Sequence, residues 1–296
     1  MFQGFSDFRV QVESDVTIHG KKCGSGPPLF LLHGFPQNLL IWHKIAEELA
    51  KTYTVVALDL RGYGSSSKPP GDDRHATYSK RVMARDCVRV MENLGCPNFY
   101  ICSHDRGARV AHKLCVDYPE KVNRVMFLDI APTAAMYAKT DFTLAKAYYH
   151  WFFLIQPSPL PENLLNANPT AFMEQHMGGK HAGMGSFSAE CLESYTNMMR
   201  NPEAVHAMCE DYRAAASIDL EENAEDERAG RVIKCPVMVL WGQHGVIEKC
   251  FDAVEEWNKV SSSSVIGHSL DCGHYIPEER PEALLGKIKE FCVESS

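Results

Sequence analysis

The chain has no run of 18 consecutive apolar residues, and its opening MFQGFSDFRV lacks the basic stretch and apolar run of an export signal. A membrane-spanning helix is excluded, and a cytoplasmic protein with no membrane partner is expected. No C-x-x-C pair occurs among the 11 cysteines, which are scattered from Cys23 to Cys292. That spacing writes neither a disulfide framework nor a zinc site. Residues such as Cys102 and Cys115 sit in apolar runs, as packing cysteines do. Positive charge is also short: Lys and Arg number 30 against 38 Asp and Glu, a formal charge of −8. Such a surface repels nucleic acid and anionic membranes over most of its area. An anionic ligand must therefore be captured by a local basic site. Internal repeats and low-complexity segments are absent.

What is present is a strand and helix alternation long enough for one large α/β domain carrying an insertion. FRVQVES and VTIH read as a hairpin around Ser14 and Asp15, and PPLFLLHGF reads as a buried strand ending in glycine. LIWHKIAEELAK is an amphipathic helix by its spacing, TVVALDL a strand, Tyr78 to Leu94 a helix, FYICS a strand, GARVAHKLCVDY a helix and RVMFLDI a strand. This is the rhythm of a parallel sheet covered on both faces. After Asp129 it stops for about a hundred residues, where helical stretches are broken by proline and glycine, as in QPSPLPE and MGGKHAGMGS. Asn201 followed by Pro202 is a helix start that carries Tyr212 near the third turn. The charged run EENAEDERAGR reads as a solvated face or a linker. Strand and helix resume at CPVMVLWG and close with EALLGKIKEF. The reading divides the chain into a core, 1–130 and 230–296, and a helical cap, 131–229.

Ser103, His104, Asp105, Arg106 and Gly107 form a small-x-nucleophile-x-Gly turn with a strand before it and a helix after it. That is the nucleophile elbow of the α/β-hydrolase fold, here with Ser where Gly is commoner. The alternative is an ordinary loop aspartate at a strand end. A carboxylate is a weak acyl nucleophile but a competent one for displacement at saturated carbon, so Asp105 points to alkyl-carbon substitution through an aspartyl ester. Releasing that ester requires an activated water and donors for an oxyanion. His274, in DCGHYIPEERPE after the last strand, stands where the chain order places the base. The acid is either at the end of RVMFLD or after VMVLWG. The second place holds Gln243, His244 and Gly245, with no carboxylate before Glu248, so Asp129 is assigned. The backbone N–H groups of Arg106 and of Phe35, in HGFPQ, are the expected oxyanion hole.

Arg106 and Arg109 lie three residues apart, on or near one side of the following helix. Two guanidiniums beside an anionic nucleophile need a reason, because a buried unpaired charge is costly. Either they pair with Asp105 or cap carbonyls, or they grip a substrate carboxylate. AYYHWFFL, in the cap, is by composition more often core than pocket, although His150, Trp151 and Tyr212 together could offer three donors to a leaving anion.

Taken together, HGFPQN, DLRGYGSSSKP, HDRGARV, LDIAPT, YHWFFLIQP, DYRAAASID, WGQHG and the terminal CGH resemble the fluoroacetate dehalogenases over nearly the whole chain. HGFPQ and DLRGYG are shared with relatives, whereas HDRGxR with YHW is narrower. The resemblance implies a mostly parallel eight-stranded sheet flanked by helices, with an inserted helical cap. It implies Asp105 as nucleophile, His274 as base, Asp129 as its partner, Arg106 and Arg109 as carboxylate binders, and His150, Trp151 and Tyr212 as the halide pocket. It also suggests a homodimer acting on a small anionic substrate, with no metal or organic cofactor. GGKHAGMGSF does not match well and is a candidate gate. An epoxide hydrolase using Tyr149 and Tyr212, a haloacid dehalogenase that does not release fluoride, and a hydrolase-like receptor without turnover are the competing readings; an arginine directly after the nucleophile speaks against the first.

Overall fold

The computed structural model describes residues 1–293. Its strands are β1 (Ser6–Glu13), β2 (Val16–Cys23), β3 (Pro28–Leu32), β4 (Thr54–Leu58), β5 (Phe99–His104), β6 (Val122–Leu128), β7 (Val237–Gly242) and β8 (Val265–Leu270). They form one eight-stranded sheet in the order β1-β2-β4-β3-β5-β6-β7-β8. The β1/β2 and β2/β4 pairings are antiparallel and the other five are parallel. The expected α/β-hydrolase sheet is present. β5 is buried at every position, as a central parallel strand with both faces covered must be.

Helices α1 (Ala46–Leu49), α2 (Lys80–Asn93) and α3 (Asp105–Asp117) belong to the first half of the sheet. Between β6 and β7 the chain is helical: α4 (Thr133–Ala138), α5 (Phe142–Ala147), α6 (Tyr149–Leu154), α7 (Leu160–Ala167), α8 (Pro169–Gly178), α9 (Ala189–Met199), α10 (Pro202–Ala215) and α11 (Ile218–Arg228). The second half carries α12 (Val246–Cys250), α13 (Ala253–Asn258), α14 (Ile276–Glu279) and α15 (Pro281–Phe291). No helix among the described residues is long and apolar enough to cross a membrane. All eleven cysteines are free, and nine of them are buried.

Local chemistry explains most boundaries. Asn201 accepts from the Glu203 N–H and Pro202 takes the first helical position, so α10 starts as its sequence requires. The expected helix over LIWHKIAEELAK is instead a 3₁₀ turn, Leu39–Trp42, followed by the single turn of α1. Asn38 caps Leu40, Asp59 takes the Leu39 N–H, and Leu39, Ile41 and Trp42 are all buried, a spacing that one straight helix face cannot deliver. EENAEDERAGR is not wholly solvated: it supplies the last turns of α11, where buried Asp226 accepts from Lys113 Nζ at 2.6 Å and from Arg231 Nε at 2.8 Å.

The inserted helices rest on the loops at the carboxyl ends of β3, β4 and β5. Asn38 Nδ2 donates to Ser194, the Tyr63 hydroxyl to Asp211, and Arg106 to Asp211. At one edge of this seam Lys44 Nζ donates to the Ser186 and Glu278 carbonyls and lies 3.3 Å from Glu278 Oε2, while the Tyr195 hydroxyl donates to Oε1. Burial pushes the Glu278 carboxyl up to about 7, against the pull of Lys44 and Tyr195.

Two predictions come from this frame. A Cβ on Gly107 would sit 2.2 Å from the His33 carbonyl oxygen and 2.7 Å from that of Leu32. Gly107→Ala is therefore expected to lower stability by about 1–3 kcal/mol in denaturant titration, the usual range for overpacking, and an unchanged midpoint would mean that α3 can retreat from β3. Glu278 has a raised folded pKa, so the folded chain holds this proton while the unfolded chain has lost it. Its contribution is lost as pH rises from 4.5, the ordinary value, to about 7. The melting temperature of Glu278→Gln should gain on the wild type between pH 5 and pH 8; a constant gap would show that the carboxyl ionises as easily folded as unfolded.

Candidate active site

β5 ends at His104 and α3 begins at Asp105, whose φ is +48°, in the left-handed region. That backbone turns the Asp105 side chain off the sheet edge at the N-terminus of α3. The turn is tight, since a Cβ on Gly34 would lie 2.5 Å from Asp105 Cβ. Ser103 fits without displacement, its hydroxyl donating to the Met126 carbonyl at 2.8 Å. Asp105 is only 6 % exposed, and its Oδ1 accepts the Phe35 N–H at 2.9 Å. Burial pushes its carboxyl up, but His274, His104, Arg109 and Arg106 outweigh that and hold it below the usual carboxylate range.

Asp129 follows β6 with φ +53° and is fully buried. Its Oδ1 accepts the Gly242 N–H at 2.9 Å, and its Oδ2 lies 2.5 Å from His274 Nδ1. With Nδ1 donating to Asp129, the lone pair of Nε2 faces Asp105, whose Oδ2 is 3.9 Å away. The His104 Nε2–H donates to the His274 carbonyl at 2.8 Å and fixes the loop that carries His274. Burial, with His274 alongside, brings His104 down to about 4, so it stays neutral at physiological pH. The structure thus brings Asp105, His274, Asp129 and Phe35 together from four separate strand ends.

Arg106 has a counter-charge that sequence reasoning missed. Its Nε donates to Asp211 Oδ2 at 3.0 Å, and its Nη2 donates at 2.6 Å to both Asp211 Oδ1 and the Asp211 carbonyl. Asp211 also accepts from Lys80 Nζ and from the Tyr63 hydroxyl, the latter at 2.8 Å. Burial opposes ionisation of Asp211, yet Arg106 and Lys80 hold its carboxyl far below the ordinary range. The need for a carboxylate was legible, since a buried guanidinium requires one, but not which carboxylate meets it. Arg109 is tied differently, its Nη1 donating to Thr133 Oγ1 at 2.9 Å and its Nη2 lying 3.2 Å from Met136 Sδ. Neither arginine pairs with Asp105 by a direct hydrogen bond among the described residues. What remains is one unpartnered buried N–H on each: Arg106 Nη1 and Arg109 Nε.

The three insert residues meet over these arginines. The Arg106 guanidinium lies 4.2 Å from the centre of the Tyr212 ring and that of Arg109 4.5 Å from Trp151. The His150 ring is 5.8 Å from Tyr212 and stacks on Phe35 at 6.0 Å, while Trp151 and Tyr212 are 6.3 Å apart. All three are buried, and His150 Nδ1, Trp151 Nε1 and the Tyr212 hydroxyl have no hydrogen-bond partner. Burial, then His176 and Lys180, hold the His150 pKa well below the ordinary histidine value, so its ring is neutral. Sequence reasoning also missed His176 and Tyr148, whose rings line the same wall: His176 is 4.5 Å from His150, and Tyr148 is 6.4 Å from His274. Tyr149, by contrast, is half exposed. The cluster with metal-compatible atoms among the described residues is elsewhere, at His43, Cys191 and Glu278, where Lys44 already supplies a positive charge.

A family model described as alpha/beta hydrolase fold matches residues 27–281. A fluoroacetate dehalogenase from Burkholderia sp is 42% identical over 98% of this chain and 95% of that protein. A soluble epoxide hydrolase from Corynebacterium sp. (strain C12) is 28% identical over 93% of each. A solved structure from Nostoc sp, provisionally assigned as an alpha/beta hydrolase, superposes with a TM-score of 0.96 at 47% identity, covering 100% of both chains. An aspartate at the elbow, a two-arginine start to α3 and identity of this extent to a dehalogenase place the chain in the fluoroacetate dehalogenase family of the α/β-hydrolases.

Proposed function

We propose that this protein hydrolyses the carbon–halogen bond of a small 2-haloacid, fluoroacetate or chloroacetate, to glycolate and halide through a covalent ester on Asp105. One observation carries the reading: five buried polar groups without partners, the donors Arg106 Nη1, Arg109 Nε, Trp151 Nε1 and the Tyr212 hydroxyl and the ring nitrogen His150 Nδ1, are gathered beside one ionised, nearly water-free carboxylate. A buried donor left unmatched costs about 1–3 kcal/mol. Five in one place suit a ligand with two anionic ends. The arginines suit a carboxylate, each giving a single charge-assisted bond because Asp211 and Thr133 occupy their other faces. The neutral imidazole, indole and phenol suit a halide whose charge grows only as the bond breaks, which is where donors lower a barrier.

The chemistry follows from the two unequal oxygens of Asp105. Oδ1 is held by the Phe35 N–H, so Oδ2 attacks the saturated carbon while the halide departs on the opposite side with the bonding pair. In the ester, Oδ1 is the carbonyl oxygen and already sits at a donor. His274 Nε2 takes a proton from water, whose oxygen adds to Asp105 Cγ, and Asp129 steadies the imidazolium. The oxyanion forms at Oδ1, facing the N–H groups of Phe35 and Arg106. Collapse expels glycolate with the old Oδ2, which takes the proton back from the His274 imidazolium, and leaves a water oxygen in Asp105. The epoxide hydrolase reading, supported by the Corynebacterium relative, requires cap phenols to protonate a ring oxygen, and Tyr149 is half exposed, away from the nucleophile.

Fluoride and chloride release from fluoroacetate and chloroacetate, with Asp105→Ala as the blank, tests the activity. Both halides are expected from the wild type and neither from the blank; chloride alone would limit the reading to haloacids with better leaving groups, and no halide would overturn it. A single turnover in ¹⁸O water is expected to label Asp105 and leave glycolate unlabelled, and His274→Asn should accumulate the ester as a mass increase on the Asp105 peptide. Label found directly in glycolate would remove the covalent intermediate. Asp211→Asn is expected to raise KM for the haloacid about tenfold or more, since it frees Arg106 from the position in which Nη1 is presented; an unchanged KM would show that Tyr212 and α3 alone hold the guanidinium.

A further inference from the structure

Beside the site lies a cavity of about 560 Å³ between α5, the C-terminal end of α8 and α12. Its wall includes Lys146, Lys180 and Lys249 and no aspartate or glutamate. In a chain of formal charge −8 that concentration of one sign is unusual. None of the three ammonium groups has a carboxylate at ion-pair distance among the described residues; Lys146 and Lys249 are exposed and Lys180 is half-buried. Two nearby acids are engaged in other bonds: Asp141 caps the Leu144 N–H, and Glu248 accepts the Trp241 indole N–H. Lys146 and Lys249 sit in the last turns of α5 and α12, where the helix dipole favours a cation. Lys180 has no such reason. It is held over the Tyr148 ring at 5.0 Å, and burial lowers its pKa against the pull of Asp129 and Asp105.

The inner wall of this cavity is shared with the active site. His176 lines the cavity and also contacts Phe35 at 5.4 Å and His150 at 4.5 Å. Lys180 lines it and touches Tyr148, which faces His274. Asp105 and His274 are 6 % and 8 % exposed, so a substrate needs a route inward. His176 makes no hydrogen bond among the described residues, and its ring is held by stacking on Phe172 at 5.4 Å. It is a side chain that can swing without breaking a polar contact.

We infer that this cavity is the anion vestibule of the enzyme: Lys146 and Lys249 collect the small carboxylate from solution, Lys180 draws it inward, and His176 is the side chain it passes. The inference rests on the haloacid reading above and extends it to how the substrate arrives. Because the substrate keeps its negative charge from solution to transition state, a positive potential along this path raises kcat/KM whether capture or displacement is slow.

The test is kcat/KM for chloroacetate, measured as glycolate formed, in the wild type, Lys146→Gln/Lys249→Gln and Lys146→Glu/Lys249→Glu, at ionic strengths of about 0.01 M and about 1 M set with sodium sulfate. At low salt the Debye length is about 30 Å, and at high salt about 3 Å. The expected result is a graded loss at low salt, about threefold for the glutamine pair and about tenfold for the glutamate pair, that disappears at high salt. A loss that persists at high salt, or equal values in all three proteins, overturns the vestibule while leaving the haloacid activity standing. A wild type that forms no glycolate overturns both.

Discussion

One carboxylate has to stay ionised almost out of contact with water, and the rest of the site answers to that requirement. Burial alone would protonate Asp105, and a protonated carboxyl could not serve as the proposed nucleophile. Two guanidiniums, Arg109 and Arg106, together with the imidazoles of His274 and His104, reverse the balance. Arginine is suited to this role because it keeps its proton where a lysine would lose it. Two guanidiniums beside each other then create a second difficulty, since each disfavours the charge of its neighbour, as the lowered pKa of Arg109 reflects after the larger effect of burial. Asp211 relieves it from the far side of Arg106, so the nucleophile is not neutralised by the group that stabilises it.

The sheet explains why these groups meet. Asp105 ends β5, Asp129 ends β6, Phe35 follows β3, Gly242 ends β7 and His274 follows β8. In a parallel sheet all those ends lie on one edge, so residues scattered over 240 positions converge without long loops. Two of them, Asp105 and Asp129, adopt left-handed backbone conformations, and at each a side chain is turned out of the strand direction toward the same spot.

Much of this was legible in the chain. The strand and helix rhythm and the turn SHDRG were enough to place the sheet and the position of Asp105 at its carboxyl edge, and the lack of a carboxylate before Glu248 pointed to Asp129. Three features were not. Helix breaks such as that at His43 depend on Asp59 and Glu278, which are distant in sequence and supply local bonds no propensity can anticipate. The partner of Arg106 was hidden for the same reason: Asp211 and Lys80 are recognisable as a pair only once α10 and the start of α2 are seen side by side. The vestibule is a third case, because Lys146, Lys180 and Lys249 share a wall without sharing an element.

The bond between Arg106 and Asp211 joins α3 of the sheet layer to α10 of the inserted helices, with both groups fully buried. Removing one partner of such a pair leaves the other charge uncompensated in the interior, at a cost of about 3–5 kcal/mol. The same bond that balances the charge of Arg106 is thus a mechanical tie between the two layers, and any separation of them has to break it.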